Sequence, residues 1–438
     1  MNHHRPVARR LPCARGASAA NAIGLLLGLL LCALPVAAQS GGEDPFGKSQ
    51  FQDPSLKAPS TVGGPVVVVR GFVDVGYVNI TQTGPKVDGG DLSWAFGNSQ
   101  STFFSESRSF TVNEVDLTLE AQQTVAGRVM GARASIDFYP SRNTEGYRLA
   151  SGDRDRDVDQ AFLFVQFPDW WRARLVLGRA PGFVTLEQQE GDAPDLRLIG
   201  HTYVFQAGGG YPVGAQAILW PMANLALKLG VSNGGVGDYS FFPGDRSTLN
   251  RWEARDADKK STNDKAEGQT GYAAVEWTVR DEPAGVGTLR LGIAGASNPS
   301  LTVNDEGDAE PYSFSNVYGV YRRGMWELRA ESARLLAYYE DSVGAFEATM
   351  SYLLVSAYLG SDHLVTLRGE SMTFTTDVDP DTEGTATKAG VSYRYRMDDH
   401  MHLKAEAVTE TQDPQFFTPS EEETLTTNVL ALSWVYAF

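Results

Sequence analysis

The chain has almost no cysteine. Its two, Cys13 and Cys32, both fall within the first 38 residues, inside what reads as an export leader. An exported chain that has lost that segment carries no disulfide, although its compartment would permit one. Long apolar runs are missing as well. Beyond residue 38 no segment approaches the roughly 20 residues of a transmembrane helix. Basic residues are in deficit, 37 Lys and Arg against 54 Asp and Glu, for a formal net charge of −17. So acidic a chain argues against a nucleic-acid partner and against an anionic inner leaflet, and suits long solvated loops. Histidine is scarce too: after the leader only His201, His363, His400 and His402 are present.

The leader itself is legible. Arg5, Arg9, Arg10 and Arg15 form a basic region without an acid, Ala22 to Val36 is apolar, and Val36-Ala37-Ala38 supplies the small residues of a cleavage site. That order predicts a secretory signal peptide over residues 1–38. Leu31 before Cys32 is too bulky for lipoprotein processing. Residues 39–65 are rich in Gly, Pro, Ser and charge and show no periodicity. They are expected to be a flexible periplasmic linker, too short to plug a large gated transporter.

What remains, residues 66–438, alternates. In the last stretch Leu430, Leu432, Trp434, Tyr436 and Phe438 take one face, while Ala431, Ser433 and Ala437 take the other, with Val435 an exception. A period of two is strand geometry. Bulky apolar groups on one face with aromatic residues at the end suit a bilayer, and Trp434, Tyr436 and Phe438 are the expected membrane-interface and terminal signal. The same pattern joins Thr111–Gln123 to Arg128–Pro140: Val115, Leu117, Leu119 and Ala121 oppose Glu114, Asp116, Thr118, Glu120 and Gln122, and Met130, Ala132, Ala134, Ile136 and Phe138 oppose Arg133, Ser135 and Asp137. One hairpin of this kind also fits an antiparallel sheet with one wet face.

Connection order discriminates between the two. Short connections fall near 124–127, 168–171, 221–224, 281–287, 322–324, 360–363 and 397–400. Longer polar ones fall near 81–109, 140–158, 181–211, 233–268, 298–312, 336–344, 376–385 and 411–423. Strict alternation of seven short and eight long connections predicts sixteen strands. The expected fold is all-β, a transmembrane antiparallel up-and-down barrel with short periplasmic turns and both termini periplasmic. Six of the eight tryptophans, Trp170, Trp171, Trp220, Trp277, Trp326 and Trp434, sit near a short turn or the C-terminus, where an interfacial girdle belongs,.

Phe110–Glu120 followed by Gly131–Tyr139 resembles the early strands of Gram-negative outer-membrane porins. Gly178–Phe183, Gly200–Phe205, Gly214–Pro221 and Leu225–Gly234 are similar to the OmpL-like β-barrel porins, with the phosphate-selective porins of O and P type a second match. The resemblance implies a passive diffusion channel in the bacterial outer membrane and no cofactor. Its partners would be outer-membrane lipids, small hydrophilic solutes and the barrel-insertion machinery. A homotrimer is frequent among porins of this size; the sequence leaves the oligomeric state open.

Opposite the apolar face stand Arg70, Asp74, Glu114, Asp116, Glu120, Arg133, Asp137, Arg174, Glu327, Arg329, Glu331, Arg368, Glu370, Arg394, Arg396, Lys404 and Glu406. A dry interior cannot hold that many unpaired ions, because each costs several kcal/mol to desolvate; a wet lumen can. The third long loop carries Glu187, Glu190, Asp192, Asp195 and Arg197. The resemblance implies that this loop folds inward, so that these residues with Arg70 and Arg133 would form the constriction and its transverse field. The alternative is an external acidic loop. Arg368, Arg394, Arg396 and Lys404 make a basic stripe that either guides anions or pairs with Glu370 and Glu406, and pairing is the expected outcome.

Two other chemistries were weighed. Asp153–Asp159 and Glu253–Asp264 offer oxygen ligands, but interspersed Arg and Lys and the absence of a turn glycine argue against a bound cation. A barrel lipase or protease would need a histidine oriented beside a nucleophile. His363 beside Asp362 and His400 beside Asp398 and Asp399 fall at predicted turns rather than in one cleft. A plugged structural or adhesive barrel is the third class.

Overall fold

A computed structural model describes residues 66–83, 107–138, 156–167, 172–189, 196–233, 236, 269–281, 287–303, 309–339, 344–376, 379–412 and 424–438. Their sixteen strands are β1 (Val66–Thr83), β2 (Ser107–Val125), β3 (Arg128–Phe138), β4 (Arg156–Phe167), β5 (Ala173–Arg179), β6 (Val213–Met222), β7 (Leu225–Asn233), β8 (Gln269–Asp281), β9 (Gly287–Val303), β10 (Ala309–Arg323), β11 (Trp326–Tyr339), β12 (Gly344–Leu359), β13 (His363–Thr376), β14 (Asp379–Arg396), β15 (Met401–Gln412) and β16 (Leu425–Ala437). Each pairs antiparallel with its sequence neighbours, and β1 pairs with β16, closing the barrel. The leader and linker lie outside the described residues. An even strand number puts the start of β1 and the end of β16 at one rim, called here the terminal end.

Closure is what lets a sheet stand in hydrocarbon, since an open edge would leave backbone groups unsatisfied. Along the seam Phe72 to Thr83 run opposite Ala437 to Thr426 in unbroken register. Phe438 completes it, its N–H donating to the Gly71 carbonyl at 2.9 Å and its carbonyl accepting from the Gly71 N–H at 3.0 Å. A Cβ on Gly71 would stand 2.7 Å from the Phe438 ring and 2.5 Å from the Asp116 carbonyl oxygen. Glycine there is the seat of the terminal aromatic.

The alternation is realised as expected. Leu430, Leu432, Trp434, Tyr436 and Phe438 face outward and are about half exposed, while Ser433 and Val435 are buried inside. Leu117, Leu119, Met130, Ile136, Leu163 and Leu177 are exposed on the same outer surface. Trp277 and Trp326 also point outward near the terminal end. Trp220 does not: it is buried inside with Ile218 and Ala226. Its even position on β6 belongs to the inner face, so nearness to a turn alone did not determine its side. The β2–β3 hairpin turns on Ala126 and Gly127, both at positive φ (50° and 76°), the backbone that matches strand twist in two-residue hairpins.

Connection lengths depart from expectation on one flank. β9 ends at Val303 and β10 begins at Ala309, β11 ends at Tyr339 and β12 begins at Gly344, and β13 ends at Thr376 and β14 begins at Asp379. Three connections read as long are therefore largely strand. Polar residues such as Asn298, Thr302, Glu310, Glu383 and Thr385 fall within those spans, yet they occupy ladder positions in tall hairpins. The inner face of those hairpins is apolar, and this is what the sequence reading missed.

Candidate pore and the loop folded into it

In the connection between β5 and β6, the described residues 180–189 and 196–212 enter the barrel. Residues 180–189 and 197–205 are almost all buried. Phe183, Val184, Leu186, Leu198, Tyr203 and Val204 join one apolar cluster with inner-face residues of β8 to β14, among them Tyr272, Phe314, Leu335, Met350, Met372 and Phe374. Burying a side chain of this size is worth roughly 1.5–3 kcal/mol, so the loop carries its own core. On the other side Ile199 packs against Val78, Ile80 and Ala431 of β1 and β16.

A short helix, α1 (Tyr203–Gly208), is the one regular element among the loop's described residues. Thr202 caps it, its Oγ1 accepting from the Phe205 N–H at 3.2 Å, which satisfies one of the donors a helix start leaves open. The same hydroxyl donates to Glu187 Oε2 at 2.9 Å, and the Thr202 N–H donates to that oxygen at 3.1 Å. His201 Nδ1 meets the other carboxylate oxygen. Burial pushes the Glu187 carboxyl up, but His201 and the two Thr202 donors outweigh it and hold it below its ordinary value. Burial also pushes the Tyr203 hydroxyl well up, helped by Glu410 and Glu370.

Strand carboxylates take the loop's backbone N–H groups. Glu331 accepts from Leu186 at 2.7 Å, Glu406 from Ile199 and Gly200 at 2.7 and 2.8 Å, and Glu370 from Tyr203 at 2.9 Å. Arg368 backs two of these acids, pairing with Glu370 and, at 2.5 Å, with Glu406, and it donates to the Gly200 and His201 carbonyls. Arg197 pairs with Glu327 at 2.9 Å and donates to Tyr358 at 3.0 Å. Glu327 also takes Arg329. Asn316 donates to the Val184 carbonyl, Ser392 to that of Arg197, Gln216 to that of Pro181, and Lys228 to Gln189 Oε1. Charge-assisted bonds of this kind are about twice as strong as neutral ones. They fix the loop to β6, β7 and β10 to β15.

The residues read from sequence separate accordingly. Glu187 and Arg197 are in the loop and inside the barrel, but their partners are His201, Thr202, Glu327 and Tyr358 rather than Arg70 and Arg133. Arg133 stands mid-strand on β3 opposite Glu120, and Arg70 is exposed near the terminal end of β1. Glu190, Asp192 and Asp195 lie outside the described residues, and of Glu114 and Asp137 only the backbone is described. Asp74 and Asp116 are buried inside, the first accepting from Ser433 at 2.6 Å, the second from Thr118 at 3.0 Å and from Ser135. Of the basic stripe, Arg368 pairs with Glu370 and Glu406, Arg396 reaches Asp362 at 3.5 Å, Arg394 lies beside His402, and Lys404 is buried inside opposite Arg394 in register.

Sequence reasoning missed Thr202, His201, Tyr203 and Tyr358, as well as Glu410, which accepts from the Tyr203 hydroxyl at 2.9 Å, and Lys388, whose ammonium lies 4.2 Å from the centre of the Tyr203 ring. A threonine before a short apolar run was a legible cap signal. The apolar inner wall had a signal as well. In β12, GAFEATMSYLLVSAYL, residues of both parities are apolar, as in strands buried on both faces. Among the described residues no set of His, Cys, Asp and Glu is arranged to hold a metal ion.

No protein-family model matches the chain, and no curated protein sequence does. Solved structures do match. The outer membrane channel DcaP of Acinetobacter baumannii is 14% identical, with a TM-score of 0.58 over 86% of this chain and 99% of that one. The anion-selective porin from Comamonas acidovorans is 11% identical, with a TM-score of 0.55 over 86% and 100%. OmpF of Salmonella typhi, in complex with daunomycin, is 10% identical, with a TM-score of 0.55 over 85% and 97%. The fold is that of an outer-membrane porin. At these identities the likeness speaks to architecture, and the bacterial outer membrane is where a barrel with this outer surface belongs.

Proposed function

We propose that this porin-fold barrel is a passive diffusion channel for small hydrophilic solutes, with both termini periplasmic. The observation that carries the reading is the asymmetric filling of the bore. Loop 180–212 is bonded to β6, β7 and β10 to β15. The inner faces of β2 to β5 present Glu120, Gln122, Arg133, Gln166 and Arg174, all half-buried. Polar side chains left partly exposed inside a closed barrel suit a water-filled passage beside the loop. Delivery by the barrel-insertion machinery, contact with outer-membrane lipids and a homotrimeric assembly accompany the reading.

The competing reading is a plugged barrel, favoured by the apolar core that seats the loop. An enzyme has less support. His201 is held by Glu187, His363 Nδ1 by the Tyr393 hydroxyl, His400 Nδ1 by the Ala437 carbonyl, and His402 lies beside Arg394, four separate settings. Purified protein in liposomes should admit neutral sugars at rates that fall with sugar size. Liposomes that exclude even the smallest sugar would contradict the channel.

A further inference from the structure

A buried Nε without a described acceptor recurs on several lumen arginines, and two of these, Arg174 and Arg290, stand on β5 and β9. Arg174 on β5 lays its guanidinium over the Phe164 ring, 4.8 Å from Cζ to the centroid. Its Nε is buried and meets no acceptor among the described residues. Its charged neighbours among the described residues are Glu120 and Arg133. Gln166, opposite Arg174 in register on β4, adds a carboxamide. On β9 the Nε of Arg290 is likewise buried without an acceptor. Glu276, whose carboxylate feels the charge of Arg290, already takes Lys228 at 2.8 Å and the Tyr318 hydroxyl at 2.6 Å. Buried donors that find no protein acceptor are rare and call for an explanation.

Position decides how these charges act. The chain is acidic overall, with a formal charge of −17, which taken alone would favour cations. A permeant ion inside the bore responds mainly to charges within a Debye length, about 10 Å at 0.1 M salt. Among the described residues, the charges along this wall include Arg133, Arg174, Arg179, Lys228 and Arg290 and the acids Glu120 and Glu276. The planar fork of a guanidinium matches a carboxylate with two parallel hydrogen bonds, and the ring of Phe164 holds that of Arg174 in place.

We propose that the lumen wall from β3 to β9 is an anion path, with a subsite for small carboxylates at Arg174 over Phe164. It rests on the channel reading above and names its substrate class. An acidic protein would then conduct anions in preference.

The test uses purified full-length barrel in planar bilayers, with reversal potential in a low-salt potassium chloride gradient and benzoate as the carboxylate probe. The wild type is expected to favour chloride over potassium and to show benzoate block. Arg174→Gln should lower the chloride-to-potassium permeability ratio by about two-fold and abolish the block. Arg174→Lys should keep the ratio but weaken the block, since an ammonium lacks the fork. A cation-selective wild type, or block that survives Arg174→Gln, overturns the proposal. Should the barrel conduct nothing, the channel reading fails instead, and calorimetric titration of benzoate into the folded barrel in detergent decides the subsite. Heat seen in the wild type and lost in Arg174→Gln upholds it; no heat in the wild type overturns it.

Discussion

Leu119 and Gln122, three positions apart on β2, show how much a single parity decides. Leu119 is 49% exposed on the outer surface, and Gln122 is half-buried inside. An arginine facing lipid at mid-depth costs about 2–4 kcal/mol, while one in the lumen mostly alters selectivity. Leu119→Arg should therefore lose that much stability in denaturant unfolding from lipid vesicles, and Gln122→Arg should lose little. Equal stabilities would mean the two faces are misassigned. Facing was the most legible property at this scale, because a period of two survives in short segments. Partners were not legible. Asp116 was readable as inward-facing, but its bond to Ser135 depends on the register between strands, which alternation alone does not give.

Elements carry the part of the account that depends on the loop. Arg368 pairs with both Glu370 and Glu406, and both acids hold backbone N–H groups of residues 199–203. Removing one member of a buried pair costs about 3–5 kcal/mol, because the remaining charges lose their partner. Arg368→Ala should free the loop, and trypsin should then cut after Arg197 in the folded barrel while the wild type resists. A variant as resistant as the wild type would show that the apolar core alone seats the loop.

The Glu187 bonds give a pH window. Its carboxyl sits below its ordinary value of 4.5 in the folded protein, so its contribution is complete above that value and is lost as pH falls through the lowered one. Amide exchange at Thr202 and Phe205 should stay slow at pH 5 and quicken only below 4.5. Protection already lost at pH 5 would contradict the assignment. At the seam, Gly71→Ala should impair closure much as deletion of Phe438 does, since the added methyl takes the place of the terminal ring. Both variants should accumulate as unfolded protein, read by loss of the heat-modifiable compact band on gels. Normal assembly of Gly71→Ala would show the ring to be dispensable.

For the whole molecule, strand number and closure were readable because membrane barrels obey a strict arithmetic: even strands, alternating faces, turns at one rim and loops at the other. The tall hairpins between β9 and β14 were not. There the inner face is apolar, so the pattern no longer separates lumen from lipid, and polar residues above the bilayer look like loop. The charges of the late strands were found, and pairing among them was expected, as Arg368 pairs with Glu370 and Glu406. That several of them also hold described residues of the loop between β5 and β6 no local pattern could show, because the partners are far apart in sequence. The central claim is that a continuous passage lies beside this anchored loop. Single-channel recording of the purified protein in planar bilayers tests it most directly. The account predicts stable ohmic steps from the wild type without any trigger. A silent wild type that opens only as Arg368→Ala would mean that the loop closes the bore, and would contradict it.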